Sequence, residues 1–250
     1  MSTQQAGKFS RRSMIASTLG AGLALPALAL ADDCPKQPFK GAPALDPELL
    51  LSDWPWLGRY RDANAKLSAS GTQVHAVFMG DSITEGWASN QPEFFSNGIV
   101  GRGISAQTTP QMLVRMHADV IALKPRAVHI MAGTNDIAFN TGPMTVQDSK
   151  HNLMAMTEIA KAHGIKVVLA SLPPAANYPW RPGLETANAI IGLNEWIRGY
   201  AKSVGATYAD YHGAMSNGKG GMKPGLASDE VHPTTEGYAV MRPIAAAAIG

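Results

Sequence analysis

The sequence predicts an α/β fold in which a five-stranded, mainly parallel sheet lies between two layers of helices. Three observations carry that prediction. Five short strand-like runs occur at residues 74–79, 98–101, 127–132, 166–170 and 207–211, each bounded by turn formers or polar residues. Longer stretches with apolar residues at helical spacing separate most of them, and a helical crossover is what returns a chain to a parallel neighbour. Chemically loaded residues also gather just past the strand-like runs, where ligands collect in open α/β sheets.

Taken in order, residues 1–31 combine Arg11-Arg12, a moderately apolar stretch from Ala16 and a small-residue exit at Ala29-Leu30-Ala31. That is the pattern of an export signal, the paired arginines pointing to the twin-arginine route and the exit to cleavage after Ala31. The apolar run is short for the about 20 residues of a bilayer span. Asp32-Asp33 stands where a lipid-attachment motif before Cys34 would need apolar and small residues. A periplasmic or secreted protein is therefore expected, with no stable membrane anchor after signal removal.

Residues 32–46 are rich in Pro, Asp and Lys without periodicity and read as an extended lead-in; residues 47–250 read as a single domain. Over 47–67, Leu50, Leu51, Trp54, Leu57, Tyr60 and Leu67 fall near helical spacing and predict a first helix, with Pro55 at its start or interrupting it. Further helices are predicted over 110–123, 146–163, 184–204 and 235–248, each ending near Gly, Pro or a basic residue. Residues 171–182 are too proline-rich for a helix, and 213–225 form a Gly- and Lys-rich loop. No internal repeat is present.

Cys34 is the only cysteine, so stability must come from core burial rather than a disulfide within the chain. The formal charge of +2 includes Lys8, Arg11 and Arg12 of the export signal. The exported chain thus has no basic excess to suggest nucleic acid. A small or neutral partner is expected; the sequence leaves the oligomeric state open.

Gly80-Asp81-Ser82-Ile83-Thr84-Glu85-Gly86 follows the first strand-like run, and Asp229-Glu230-Val231-His232 precedes the last helix. A serine hydroxyl is a poor nucleophile near neutrality unless a base takes its proton and a third group orients the base. Ser82, His232 and Asp229 fit those three roles. Between them, Gly101-Arg102-Gly103-Ile104-Ser105-Ala106-Gln107 and Val128-His129-Ile130-Met131-Ala132-Gly133-Thr134-Asn135-Asp136 each run from a strand into a loop. A neutral Asn can aim an N–H at a developing oxyanion without a charge to desolvate, which suits Asn135.

These four segments, in this order, resemble the signature blocks of the SGNH (GDSL) hydrolases over about residues 74–240. The resemblance implies a flavodoxin-like three-layer α/β/α sandwich and a carboxylic ester hydrolase working through an acyl-enzyme. It implies Ser82 as nucleophile, His232 as base, Asp229 as its partner, and an oxyanion hole from the N–H groups of Ser82 and Ala106 with the Asn135 side chain. One block departs from the pattern. Ala106 stands where the family usually has Gly, which matters only if the backbone there needs a positive φ.

No second His or Cys lies at ligand spacing near His232, so no metal and no organic cofactor is expected. His75, His117, His129, His151, His163 and His212 read as packing or surface residues. Tyr178, Trp180 and Arg181 fit either a wall against an acyl group or sugar, or packing under a rigid loop. A short acyl or acetyl group on a sugar or small alcohol is the expected substrate. Lysophospholipase or thioesterase action on longer chains, and non-catalytic carbohydrate binding, are the alternatives.

Overall fold

The computed structural model describes residues 47–250. The expected export signal at 1–31 and the lead-in at 32–46, Cys34 included, lie outside the described residues. Where one helix was expected at the start of the domain there are two, α1 (Pro47–Ser52) and α2 (Arg61–Ala69). The break has a local cause. The Asp53 carboxylate accepts the N–H groups of Leu57 at 2.8 Å and Gly58 at 2.8 Å, Pro55 has no N–H to continue a helix, and Trp56 takes a positive φ of 53°.

Beyond these come β1 (Ala76–Gly80), α3 (Ser82–Asn90), β2 (Ile99–Gly103), α4 (Thr109–Asp119), β3 (Ala127–Met131), α5 (Thr134–Ile137) and α6 (Val146–Ala162). The chain closes with β4 (Lys166–Ala170), α7 (Thr186–Val204), β5 (Thr207–Ala209), α8 (Tyr211–Met215) and α9 (Thr235–Ile249). All strand pairs are parallel, in the order β2-β1-β3-β4-β5. The five expected strands are all present, each end within two residues of the one expected. Helices α3, α5 and α8 were not anticipated, because each is short and lacks a sustained apolar period.

Every residue of β1 and β3 is buried, as expected for central strands covered on both faces. On one side Phe78 packs edge-on to Trp87 at 5.8 Å and Phe94 at 5.7 Å, and stacks on His129 at 4.4 Å. Burial pushes the His129 imidazole down to about 3, so it is neutral, and it hydrogen-bonds the Tyr211 hydroxyl at 2.8 Å. Helices α3, α8 and α9 pack together on this side, while α4 and α6 pack against each other and α6 and α7 contact β4.

The carboxyl ends of β1, β2 and β3 meet tightly. A Cβ on Gly103 would come within 2.3 Å of the Glu85 nitrogen and 2.7 Å of the Asp81 carbonyl, so only glycine lets β2 end against the first turn of α3. Two buried carboxyls brace the same region. Asp136 accepts the N–H of Thr109 at 3.0 Å, the Thr109 hydroxyl and the Ser149 hydroxyl at 2.9 Å, joining α5 to α4 and α6. Asp81 caps α3 by accepting the Ile83 N–H at 3.0 Å. Burial is the main cause that pushes Asp81 up to about 6, assisted by the Asp136 charge and opposed by the Ile83 N–H and His232.

Two outcomes follow from this packing. Gly103→Ala is expected to lower the unfolding free energy by about 1–3 kcal/mol in denaturant titration, the usual cost of overpacking; a neutral result would contradict the close approach. Asp81 has an unfolded pKa near 3.9 and a folded one of about 6, so the folded chain binds this proton more tightly. Its contribution favours folding at the acid end and is lost as pH rises from about 4 through about 6. Asp81→Asn keeps the cap and removes the titration, so its stability should change less over that interval than that of the parent chain.

Candidate active site

Ser82 opens α3 directly after β1, so its side chain and N–H sit at a strand end and at a helix N-terminus together. Its hydroxyl lies 2.9 Å from His232 Nε2, across 150 positions of sequence. The other imidazole nitrogen, Nδ1, lies 2.7 Å from Asp229 Oδ2. With Nδ1–H donating to the carboxylate, Nε2 carries the lone pair that faces the Ser82 hydroxyl.

The Asp-x-x-His loop is shaped by its own backbone. Asp229 Oδ1 accepts the His232 N–H at 2.8 Å and the Val231 N–H at 3.2 Å, while Glu230 between them takes a φ of +73°. The His232 carbonyl accepts the Ser228 N–H at 2.9 Å. Partial burial acts to raise the Asp229 carboxyl, but the His232 N–H, the imidazole and the Val231 N–H outweigh it and hold it below the ordinary carboxylate range. It is therefore an anion wherever the imidazole needs a partner.

Behind the serine, the Tyr238 hydroxyl donates to the Ile83 carbonyl at 2.9 Å, pinning α9 to the first turn of α3. Tyr238 also stacks on Trp87 at 5.7 Å. The helices that carry Ser82 and follow His232 are thus joined through the core, independently of the contact between the two side chains.

Ala106 lies at the third position of a four-residue turn closed by the Gln107 N–H on the Ile104 carbonyl at 3.3 Å, and its φ is +64°. The backbone there does sit in the left-handed region that favours glycine, at a cost for alanine of about 1 kcal/mol. Neighbouring bonds impose it. Glu85 accepts the Ser105 N–H at 2.8 Å and hydroxyl at 2.6 Å and pairs with Arg59 at 3.0 Å. Gln107 donates through Nε2 to the Pro55 carbonyl at 2.8 Å and accepts from buried Arg115 at 2.6 Å, and Arg115 also pairs with Asp119 at 2.8 Å.

Asn135 follows Gly133, whose φ of +132° only glycine adopts readily and which turns the chain out of β3 into α5. The Asn135 Nδ2 donates to the Gln107 carbonyl at 3.0 Å, and its Oδ1 accepts from Asn140 Nδ2 at 2.6 Å. Ser82 and Asn135, in the first turns of α3 and α5, and Ala106, Asp229 and His232, on loops, therefore converge at the carboxyl edge of the sheet. Glu85, Gln107, Asn140 and Tyr238, which hold them, were missed by the sequence reading. Spacing carried no signal for them, although Glu85 and Gln107 lie inside the quoted motifs and Asn140 just beyond one.

Of the three expected wall residues, Tyr178 requires correction. It is 0% exposed, so it cannot face a ligand; its ring packs beneath Trp180 at 5.0 Å, nearly parallel. Trp180 is half-buried with its ring centre 6.3 Å from that of His232. Arg181 donates to the Ala138 carbonyl at 2.8 Å and the Phe139 carbonyl at 3.3 Å, tying the loop to the end of α5. Beside Asp229 and Glu230 a cleft of about 600 Å³ is lined by Asn217, Lys223, Ser228 and Pro179 among others. No cluster of potential metal ligands occurs among the described residues.

This chain is similar to known proteins along most of its length. The GDSL-like lipase/acylhydrolase family model matches residues 78–240. A solved structure from Bacteroides fragilis, of a protein assigned as an acylhydrolase, is 43% identical, with 79% of this chain and 97% of that one covered and a TM-score of 0.75. Esterase TesA of Pseudomonas aeruginosa is 26% identical over 172 residues, 65% of this chain and 77% of TesA. The lipoprotein YqeF of Bacillus subtilis is 37% identical over 79 residues, which is 30% of this chain and 32% of that protein's length. On this evidence the chain belongs to the GDSL-like lipase/acylhydrolase family, the SGNH hydrolases, and is a carboxylic ester hydrolase.

Proposed function

We propose that the protein hydrolyses esters of short acyl groups on a sugar or small alcohol through an acyl-enzyme on Ser82. The observation that carries this reading is the continuous Ser82–His232–Asp229 contact, 2.9 Å and 2.7 Å, at the edge where Ala106 and Asn135 also converge. Ser82 Oγ attacks the acyl carbon as its proton passes to His232 Nε2. Asp229, held as an anion, stabilises the imidazolium without taking the proton.

The tetrahedral oxyanion would accept from the N–H groups of Ser82 and Ala106 and from the second N–H of Asn135 Nδ2. Collapse breaks the bond to the alcohol, which leaves with the proton from His232. Water then gives His232 a proton and attacks the acyl carbon, and as the bond to Ser82 Oγ breaks, His232 returns that proton to Oγ, releasing the acid with Ser82 regenerated. The polar cleft beside Asp229, with Asn217, Lys223 and Glu230 on its walls, supports a hydrophilic alcohol portion.

One observation favours the longer-chain alternative. An apolar cavity of about 180 Å³ is lined by Ile137, Phe139, Met144, Leu184 and Leu193, beside the helix that carries Asn135. Residues 1–31 as a twin-arginine export signal, and a periplasmic or secreted location, belong to the same proposal and rest on the sequence pattern alone. Among the described residues no helix is long and apolar enough to cross a membrane.

Purified protein should hydrolyse a series of p-nitrophenyl esters with kcat/KM highest for acetate and propionate, and should be labelled at Ser82 by an organophosphonate. Folded Ser82→Ala is expected to lose both rate and label by at least about 10³-fold; a retained rate would remove Ser82 as nucleophile, and a preference for acyl chains beyond octanoate would favour the alternative. Ala106→Gly relieves strain of about 1 kcal/mol and restores about 0.4–1 kcal/mol of unfolded-chain freedom. Its kcat should therefore stay within about threefold of the parent's, since the N–H is unchanged; a rise above about tenfold would mean that alanine distorts the hole.

A further inference from the structure

Asn135 serves an oxyanion only if its amide presents nitrogen, not oxygen, to the cleft, and the two ends of a side-chain amide are alike in shape. Something else must set its direction. Asn140 is 8% exposed and lies five positions on, past the end of α5, where its own N–H bonds the Asn135 carbonyl at 3.0 Å. Its side chain makes two contacts. Nδ2 donates to Asn135 Oδ1 at 2.6 Å, and Oδ1 accepts from Trp180 Nε1 at 3.3 Å.

The bonds form a line with a fixed polarity. An indole N–H can only donate and a peptide carbonyl can only accept. Trp180 at one end therefore draws the oxygen of Asn140 towards itself and turns the nitrogen of Asn140 to Asn135. That nitrogen holds the oxygen of Asn135, and the nitrogen of Asn135 is left to donate to the Gln107 carbonyl at 3.0 Å and, with its remaining hydrogen, to the cleft. Inverting either amide would set oxygen against oxygen and nitrogen against nitrogen, and each mismatch inside a buried network is costly. The Trp180 ring also lies 6.3 Å from that of His232, so the line starts beside the imidazole and ends at the loop that bears Ala106.

We propose that Asn140 is a positioning residue of the esterase reaction, orienting Asn135 so that its N–H faces the developing oxyanion. This rests on the reading of Asn135 as an oxyanion donor. Asn140 acts through its contact with Asn135, so its effect is confined to turnover that passes through Asn135.

The test is a double-mutant cycle on the mature enzyme with p-nitrophenyl acetate, combining Asn140→Asp with Asn135→Ala. A carboxylate at 140 only accepts, so it favours the inverted Asn135 amide. Asn140→Asp alone should lower kcat by about 100-fold, the scale of losing one donor, with KM within about threefold. Added to Asn135→Ala, it should lower kcat by less than about threefold further, because no amide remains to orient. An equal fall in both backgrounds, or a kcat near that of the parent, would overturn the proposal while Asn135→Ala alone remains slow. If Asn135→Ala itself keeps full kcat, the oxyanion reading fails first. Should Asn140→Asp not fold, Asn140→Ala is read in the same cycle, with about a tenfold fall expected in the parent and none in Asn135→Ala; equal falls overturn the proposal.

Discussion

The contact between α9 and the first turn of α3 is the constraint on which the site rests. Tyr238 reaches from one helix to the Ile83 carbonyl of the other at 2.9 Å, and its ring lies on Trp87 in the aromatic cluster under Phe78. A serine and a histidine far apart in sequence are thereby placed at hydrogen-bond distance by buried surface. The polar contact between their side chains, part-exposed and able to exchange with water, would be a weak tether on its own.

A second frame holds the loop that bears Ala106. Gly103 lets β2 end against the backbone of α3, Glu85 of that helix grips Ser105, and Arg115 with Asp119 fixes Gln107 from within α4. The left-handed Ala106 between these anchors is over-determined, which is how local strain persists in a native fold. Serine, alanine and asparagine then converge because three parallel strands end together, and the parallel order follows from the helical crossovers.

Much of this was legible in the sequence, for a physical reason. Strands β1, β3 and β4 are almost wholly apolar, broken only by His129 and by Lys166 at an exposed strand start, because both faces are covered, and Ser82, Asn135, Asp229 and His232 stand at the ends of segments whose local composition marks them. What escaped was set by distance or by mixed composition. The segment Ser82–Asn90 shows no clean apolar period, and it is helical because Asp81 caps it and Ile83, Thr84 and Trp87 are buried. Tyr178 carries the same signal as Trp180 in a proline-rich loop, but only packing decides which ring is underneath. Tyr238 meets a carbonyl 155 positions away, and no local pattern announces that.

The stretch between α1 and α2 lies before the segment that matches the family model, residues 78–240, yet it reaches the amide-bearing loop. Carbonyls of Trp54 and Pro55 accept from Gln111 at 2.8 Å and Gln107 at 2.8 Å, and Tyr60 donates to the Gly103 carbonyl. The loop that bears Ala106 is therefore held in part from upstream of the recognisable signature, and a truncation designed from the signature alone would cut away three of the hydrogen bonds that shape it.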